Sequence, residues 1–221
     1  MKPLVVVNVK TYESGTGAKA LKLAKVIDIV AKEKNSRIIF CAQPADIHQI
    51  ATLVKMPVYA QHIDPITYSP STGSILPESV KAAGARGTLL NHAEKKIDHR
   101  ILKKTIEIAK EKKLRTIVCA DSVKEAGLIA HFAPDCIAVE PPELIGGNVS
   151  VSKARPQDII KSVRAVKKVN PDIKILVGAG IKTSSDVRKS IELGADGVLI
   201  ASGVVCAKYP KKIIESMVSL I

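Results

Sequence analysis

Short apolar runs rich in β-branched residues recur along the chain, and segments with the periodicity of amphipathic helices follow them. Eight such runs predict strands that begin at Leu4, Arg37, Pro57, Gly87, Arg115, Cys136, Ile173 and Gly197. Seven helical segments separate the runs and an eighth follows the last, the clearest being 18–34 and 98–113. Strands that alternate with helices predict a parallel sheet covered by helices.

The number and spacing of these repeats favour a closed barrel. Eight units over 221 residues average about 28 residues each, which suits an α/β fold of the (β/α)8 barrel type with eight parallel strands. An open doubly wound sheet is the alternative, but residues 10–15 after the first strand lack the glycine-rich fingerprint of dinucleotide-binding proteins. No linker interrupts the pattern, so we expect residues 1–221 to form one domain.

Polar residues end three of the predicted strands, and the C-terminal ends of barrel strands are where active sites lie. Asn8 and Lys10 end the first strand, and side-chain alternation points them into the barrel mouth while the intervening valines face the helices. His92 follows the fourth strand near a helix N-terminus, whose dipole favours a neutral ring. Glu140 ends the sixth strand, where desolvation raises a carboxyl pKa toward the range of a general base. Taken singly, each of these could equally be structural.

Three connecting segments suggest ligand binding. Residues 141–147 have prolines at one end and glycines at the other, which suits a stiff lid with a hinge. The turns at 178–185 and 194–203, after the seventh and eighth strands, are rich in glycine. Loops at these two positions form the common phosphate site of this fold, so the pattern predicts a phosphate-binding barrel.

The charge balance is strongly basic. With 34 Lys and Arg against 21 Asp and Glu, the net charge is +13, which suits nucleic acid, an anionic membrane or small anionic substrates. The lysines are spread along the predicted helices, aromatic residues make up only 3% of the chain, and no basic run is interleaved with aromatics for base stacking. No apolar run approaches the ~20 residues that span a bilayer. Solvated helix faces therefore explain most of this charge, and the single-stranded nucleic-acid interpretation is weakened.

The four cysteines form no C-x-x-C pair, and three lie within predicted strands. We interpret them as reduced, mostly buried thiols and expect no metal site. The first residues lack the apolar length and cleavage site of a signal peptide. We therefore expect a cytoplasmic protein.

Four segments in order along the chain resemble the triosephosphate isomerase family. They are N-V-K at 8–10, T-G-S-I-L-P-E-S-V-K at 72–81, N-H-A-E-K-K at 91–96 and A-V-E-P-P-E-L-I-G at 138–146. These are similar to that family's N-x-K, T-G-E-x-S-P, G-H-S-E-R-R and A-Y-E-P-x-W-x-I-G segments. The resemblance covers the whole chain, and the short length and the P-P-E lid resemble the archaeal branch.

The chain departs from the family pattern at three places. The lid tryptophan is Glu143 here, a serine after the seventh strand is Gly180, and a Gly-Gly pair after the eighth strand is Ala201-Ser202. Backbone N–H groups survive all three changes, so we expect them to make the phosphate contacts.

The resemblance implies a TIM barrel that interconverts dihydroxyacetone phosphate and D-glyceraldehyde 3-phosphate by proton transfer through an enediolate, in glycolysis and gluconeogenesis. Glu140 would be the base, and neutral His92 would polarise the carbonyl. Lys10 would bind the phosphate and stabilise enediolate charge, with Asn8 beside it and Glu94 holding it in place. The other expected substrate contacts are Val9, Ile145, Gly180, Ala201 and Ser202.

The same resemblance implies that neither a metal nor an organic cofactor is needed. It implies a homo-oligomer, a tetramer by its archaeal features and otherwise a dimer, with residues 61–74 at an interface. Nucleic acid and membranes are not expected partners.

Two alternatives remain open from the sequence. Another phosphosugar-processing barrel, such as an amino-sugar isomerase or an aldolase, would share the fold, and an aldolase would use Lys10 to form a Schiff base. A non-catalytic basic module that binds nucleic acid is the second alternative.

Overall fold

A computed structural model describes residues 2–140 and 156–219, and within them eight parallel strands close into a barrel. The strands are β1 Leu4–Asn8, β2 Arg37–Ala42, β3 Val58–Ala60, β4 Gly87–Leu90, β5 Arg115–Ala120, β6 Cys136–Val139, β7 Lys174–Val177 and β8 Gly197–Ile200. Leu4 pairs with Arg37 of β2 on one side and with Gly197 of β8 on the other, which closes the barrel. The predicted (β/α)8 barrel is therefore confirmed.

Helices cover the barrel and connect its strands. They are α1 Gly17–Glu33, α2 Ile47–Ala51, α3 Pro77–Ala82, α4 His99–Glu111, α5 Val123–Ala130, α6 Pro156–Val169, α7 Ser184–Glu192, α8 Ser202–Val205 and α9 Pro210–Ser219. The predicted helices 18–34 and 98–113 correspond to α1 and α4. Two helices follow β8 in the described part of the chain, where the sequence predicted one, because the four residues of α8 are too few to show a periodicity.

The core has two layers that follow from side-chain alternation along the strands. Val5, Val7 and Val9 lie in the outer layer between the strands and the helices. Leu4 and Val6 lie in the inner layer, which fills the barrel. This alternation agrees with the prediction for β1 and leaves Asn8 on the inner face, where β1 ends.

No helix in the described ranges is long and apolar enough to cross a lipid bilayer.

Candidate active site

Two pairs of polar residues meet at the C-terminal ends of the strands. Nζ of Lys10, after β1, lies 2.7 Å from Oε1 of Glu94, which follows β4. Nε2 of His92, also after β4, lies 3.5 Å from Oε1 of Glu140 at the end of β6. Nδ1 of His92 is 3.6 Å from Oε2 of Glu94, which links the two pairs. Residues up to 130 positions apart in the chain thus form one cluster at the barrel mouth, as the sequence predicted.

A tight turn aims Lys10 at this cluster. Its backbone has a left-handed conformation with φ 49°. The buried Asn8 accepts the backbone N–H of Lys10 on Oδ1 at 3.0 Å. The amide of Gln61 donates to the carbonyl of Lys10 at 2.9 Å and to Oδ1 of Asn8 at 3.2 Å. Asn8 and Gln61 therefore stabilise a backbone conformation that costs a non-glycine residue of order 1–3 kcal/mol.

Gln61 was not predicted as a site residue. It follows β3, so the rule that polar residues at strand ends belong to the site could have identified it. The family resemblance implied an interface role for it instead, within residues 61–74.

Val9, a predicted contact with substrate, forms part of the turn before Lys10. Its side chain is fully buried in the outer core. Its backbone N–H donates to the carbonyl of Cys41, and its carbonyl accepts from the backbone N–H of Tyr12. The backbone of Val9 therefore helps to shape the turn that carries Lys10.

His92 is held as a neutral ring with a defined tautomer. It caps a short 3-10 turn at Ala93–Lys95, and its Nδ1 accepts the backbone N–H of Glu94 at 3.2 Å. An accepting Nδ1 carries no proton, so the proton of the neutral ring is on Nε2, the atom that faces Glu140. Burial, and then the charge of Lys10, lower the pKa of His92. The sequence predicted a neutral ring from the dipole of a helix that follows His92, but only the 3-10 turn follows it and α4 begins at His99, so burial and Lys10 are the causes that the structure provides.

The carboxyl group of Glu140 is buried away from solvent. Its exposure is 3%, and its Oε2 has no hydrogen-bond partner within the described part of the chain. Burial raises the pKa of Glu140 to about 7, although the Cys119 thiol beside it and the charge of Lys10 both act to lower it. A carboxyl with this pKa changes its protonation state near neutral pH, as a general base requires.

Gly178, directly after β7, leaves the room that Glu140 occupies. A Cβ atom built on Gly178 would lie 2.6 Å from Cγ and 2.8 Å from Oε1 of Glu140. Atoms cannot approach so closely without displacement, so any side chain here would move the Glu140 carboxyl. The sequence predicted Gly178 as part of a phosphate turn and did not indicate this contact.

The two glycine-rich loops lie side by side. Gly180 has a left-handed φ of 72°, Ala201 precedes α8, and Ser202 is its first residue. A Cβ on Gly203 would lie 3.4 Å from the carbonyl oxygen of Ile181, which brings the loop after β8 against the loop after β7. The first N–H groups of a helix have no acceptor inside it, so the start of α8 offers donors at this face. The start of α7 is closed by a capping box between Thr183 and Asp186.

Ile145, Glu143 and the predicted lid at 141–147 lie outside the described residues.

The described residues contain no group of three or more His, Cys, Asp or Glu arranged to hold a metal ion. Of the cysteines, Cys41, Cys119 and Cys136 are buried free thiols and Cys206 is an exposed one.

Comparison with known proteins gives a consistent result. The family model for triosephosphate isomerase matches residues 3–217. The triosephosphate isomerase of Methanothermus fervidus is 45% identical over 218 residues, covering 99% of this chain and 98% of that protein. The triosephosphate isomerase of Methanobacterium bryantii is 45% identical over 219 residues, covering 99% of this chain and 97% of that protein. A crystal structure of triosephosphate isomerase from Bartonella henselae has the same fold, with a TM-score of 0.78 at 15% identity over 100% of this chain and 99% of that one.

We predict that Gly178→Ala lowers kcat by about a hundredfold, because the new methyl group displaces the Glu140 carboxyl and misplacements near 1 Å have costs of that size. The matched control is Gly127→Ala in α5, where a Cβ would come no closer than 3.8 Å to Ala165. Steady-state kinetics and thermal unfolding of both variants check the prediction. A folded Gly178→Ala variant with the kcat of the wild-type protein would contradict it.

Proposed function

The chain belongs to the triosephosphate isomerase family, and we propose that Glu140, His92 and Lys10 perform the reaction of that family. The enzyme is an intramolecular isomerase that interconverts dihydroxyacetone phosphate and D-glyceraldehyde 3-phosphate. The observation that carries the proposal is the approach of Nε2 of neutral His92 to 3.5 Å from the desolvated carboxyl of Glu140.

The proton transfers balance within this pair and the substrate. A substrate held about 3 Å from both groups meets a base and a hydrogen-bond donor at once. The Glu140 carboxylate takes a proton from the hydroxyl-bearing carbon beside the carbonyl, while Nε2–H of His92 hydrogen-bonds to the carbonyl oxygen, so that an enediolate forms. His92 then gives its proton to that oxygen and takes the proton of the neighbouring hydroxyl, and Glu140 returns its proton to the former carbonyl carbon. The base and the ring end as they began.

Lys10 supplies the positive charge that this sequence of steps needs. Its side chain is only 17% exposed, and its ammonium group is held by Glu94 at 2.7 Å. A fixed cation stabilises both a phosphate dianion and an enediolate without reorganisation during the reaction. An ammonium that donates to a carboxylate is suited to this role and not to forming a Schiff base, which requires the free amine. The ion pair therefore supports isomerisation over an aldolase mechanism.

For the phosphate group we propose the backbone N–H groups at Gly180, Ala201 and Ser202. The adjacency of the loops after β7 and β8 supports this assignment. On the family resemblance we also propose that Ile145 and the segment 141–147 close over the substrate and exclude water.

We further propose that the protein is a homotetramer. Tyr68, within the predicted interface segment 61–74, is 79% exposed and is the most exposed large hydrophobic side chain of the described residues. Ile101 of α4 and Leu128 of α5 are also exposed, at 47% and 42%. A tetramer needs two interfaces, and we assign Ile101 and Leu128 to the second.

We also propose a cytoplasmic location, because the exposed Cys206 and the three buried cysteines are unpaired, as is usual for proteins of a reducing compartment. Fractionation of the native cells tests this location.

We expect Glu140→Gln to lower kcat by about a thousandfold, within the range for loss of a general base, because the amide cannot accept the substrate proton. The variant should fold and at pH 8 resist unfolding at least as well as the wild type, because the substitution removes a desolvated charge. Glu107→Gln, at an exposed position of α4, is the matched control and should change neither property. A coupled assay with glyceraldehyde 3-phosphate and denaturant titration make the measurement. Near-normal turnover by Glu140→Gln would refute the assignment.

The pH dependence of kcat/KM should follow the protonation of Glu140. Because the carboxylate is the active form and burial raises its pKa to about 7, kcat/KM should rise roughly tenfold per pH unit below that value and level off above it. His92 stays neutral near pH 7 because its pKa is lowered. The profile is corrected for the second ionisation of the substrate phosphate near pH 6. A corrected profile that is flat from pH 5 to 8 would contradict a base of this kind.

The proposed assembly predicts that Tyr68→Ser lowers the molar mass in solution, because it removes the exposed aromatic anchor of one interface. Multi-angle light scattering should give a tetramer for the wild type and a smaller species for the variant. Tyr209→Ser, at a 58% exposed tyrosine before α9, is the control and should leave the mass unchanged. A monomeric wild-type protein would overturn the proposal.

A further inference from the structure

Asn91 lies between β4 and His92 in a conformation that its side chain must support. It has a left-handed backbone with φ 57°, and it is 1% exposed. Such a conformation costs a non-glycine residue of order 1–3 kcal/mol and persists where the surroundings enforce it. The corresponding family segment, G-H-S-E-R-R, has glycine here, which reaches this conformation freely. The asparagine side chain therefore adds contacts that the backbone alone does not need.

The side chain of Asn91 closes the loop that carries two site residues. Its Oδ1 accepts the backbone N–H of Ile97 at 3.0 Å, which joins the two ends of the segment 91–97. That segment contains His92 and Glu94, and Glu94 in turn holds Lys10. The same amide donates from Nδ2 to the carbonyl of Cys119 on β5 at 2.9 Å.

Glu125 of α5 fastens both ends of this loop to the barrel. Its Oε1 accepts Nδ2 of Asn91 at 3.0 Å, near the start of the loop. Its two oxygens accept Nζ of Lys96 at 2.9 and 2.8 Å, near the end. The backbone N–H of Asp121 donates to Oε2 at 2.7 Å, which fixes the orientation of the carboxylate. His99 also approaches Oε1, at 3.2 Å.

Glu125 remains charged in this setting. Burial alone would raise the pKa of Glu125, but the hydrogen bonds from Lys96 and from the backbone of Asp121 lower it to about 2. A permanently ionised acceptor makes strong bonds to the amide and the ammonium group. Its side chain is 10% exposed, so little water competes for these bonds.

We propose that Asn91 and Glu125 form a positioning pair that holds the loop 91–97 so that Nε2 of His92 faces Glu140. The proposal rests on the proposed function, since it concerns the geometry of the group that polarises the carbonyl. Neither residue touches the reacting atoms. Their effect passes through the backbone that carries His92, so it acts on the chemical step more than on substrate binding.

The test is a double-mutant cycle of Asn91→Gly and Glu125→Ala, with kcat and KM measured separately. Glycine accepts the left-handed conformation, so Asn91→Gly removes the side-chain contacts without straining the backbone. Each single variant should lower kcat about tenfold and change KM by less than twofold, because small displacements of a reacting group cost turnover. The double variant should lose no more than either single variant, since both break the same unit.

Asn35→Gly is the matched control. Asn35 is exposed, also has a positive φ of 47°, and ends the turn after α1, so the same substitution there should leave kcat and KM unchanged. Asn91→Asp keeps the acceptor for Ile97 but loses the donor to Glu125, and it should lower kcat as Asn91→Gly does. If Asn91→Gly does not fold, Asn91→Asp and Glu125→Ala provide the same comparison.

Three results would overturn the positioning pair. They are an unchanged kcat in folded Asn91→Gly or Asn91→Asp, effects of the two sites that multiply in the double variant, and a loss confined to KM. The proposed function fails in a different way, namely by absent isomerase activity in the wild type or by full activity in Glu140→Gln.

Discussion

The burial of the Glu140 carboxyl opposite a neutral histidine is the constraint on which the rest of the site depends. A carboxylate that is 3% exposed and has one oxygen without a partner in the described residues is destabilised relative to its protonated form. That destabilisation makes it a stronger base, because its pKa rises to about 7. The barrel tolerates it because the surrounding strands and aliphatic core are closed and well packed. Gly178 makes this burial possible, since only a residue without a side chain leaves space for the Glu140 carboxyl.

Lys10 affects the ionisation of both members of this pair. Its charge lowers the pKa of His92 and also acts to lower that of Glu140. The first effect keeps the His92 ring neutral, and the second limits how far burial raises the pKa of Glu140. Glu94 sets the position of this charge through an ion pair of 2.7 Å. Because Glu94 and His92 are on the same loop, that loop positions both the Lys10 ammonium group and the His92 ring. This gives the contacts of Asn91 and Glu125 a functional meaning beyond stability.

The barrel and most of the site could be predicted from the chain because both depend on local patterns. Alternation within β1 identifies Asn8, and polar residues after strands identify Lys10, His92 and Glu140 without any knowledge of distances. Lys10 itself lies beyond β1, in a left-handed turn, and not on the strand where alternation was expected to place it. The contacts that tune these residues could not be predicted in this way. Gly178 against Glu140, Gln61 against Lys10, and Glu125 against Asn91 join segments that are 34 to 51 positions apart, and only the closure of the barrel sets their geometry. The burial of the Val9 side chain in the outer core follows from side-chain alternation alone.

The proposed mechanism depends most directly on the protonation state of His92. Nitrogen-15 NMR of the histidine rings, assigned with His92→Gln, distinguishes the two neutral tautomers and the imidazolium. We predict that at pH 7 His92 is neutral with its proton on Nε2, because Nδ1 accepts the backbone N–H of Glu94 and both burial and Lys10 lower its pKa. A protonated imidazolium at pH 7, or a neutral ring with its proton on Nδ1, would contradict the account.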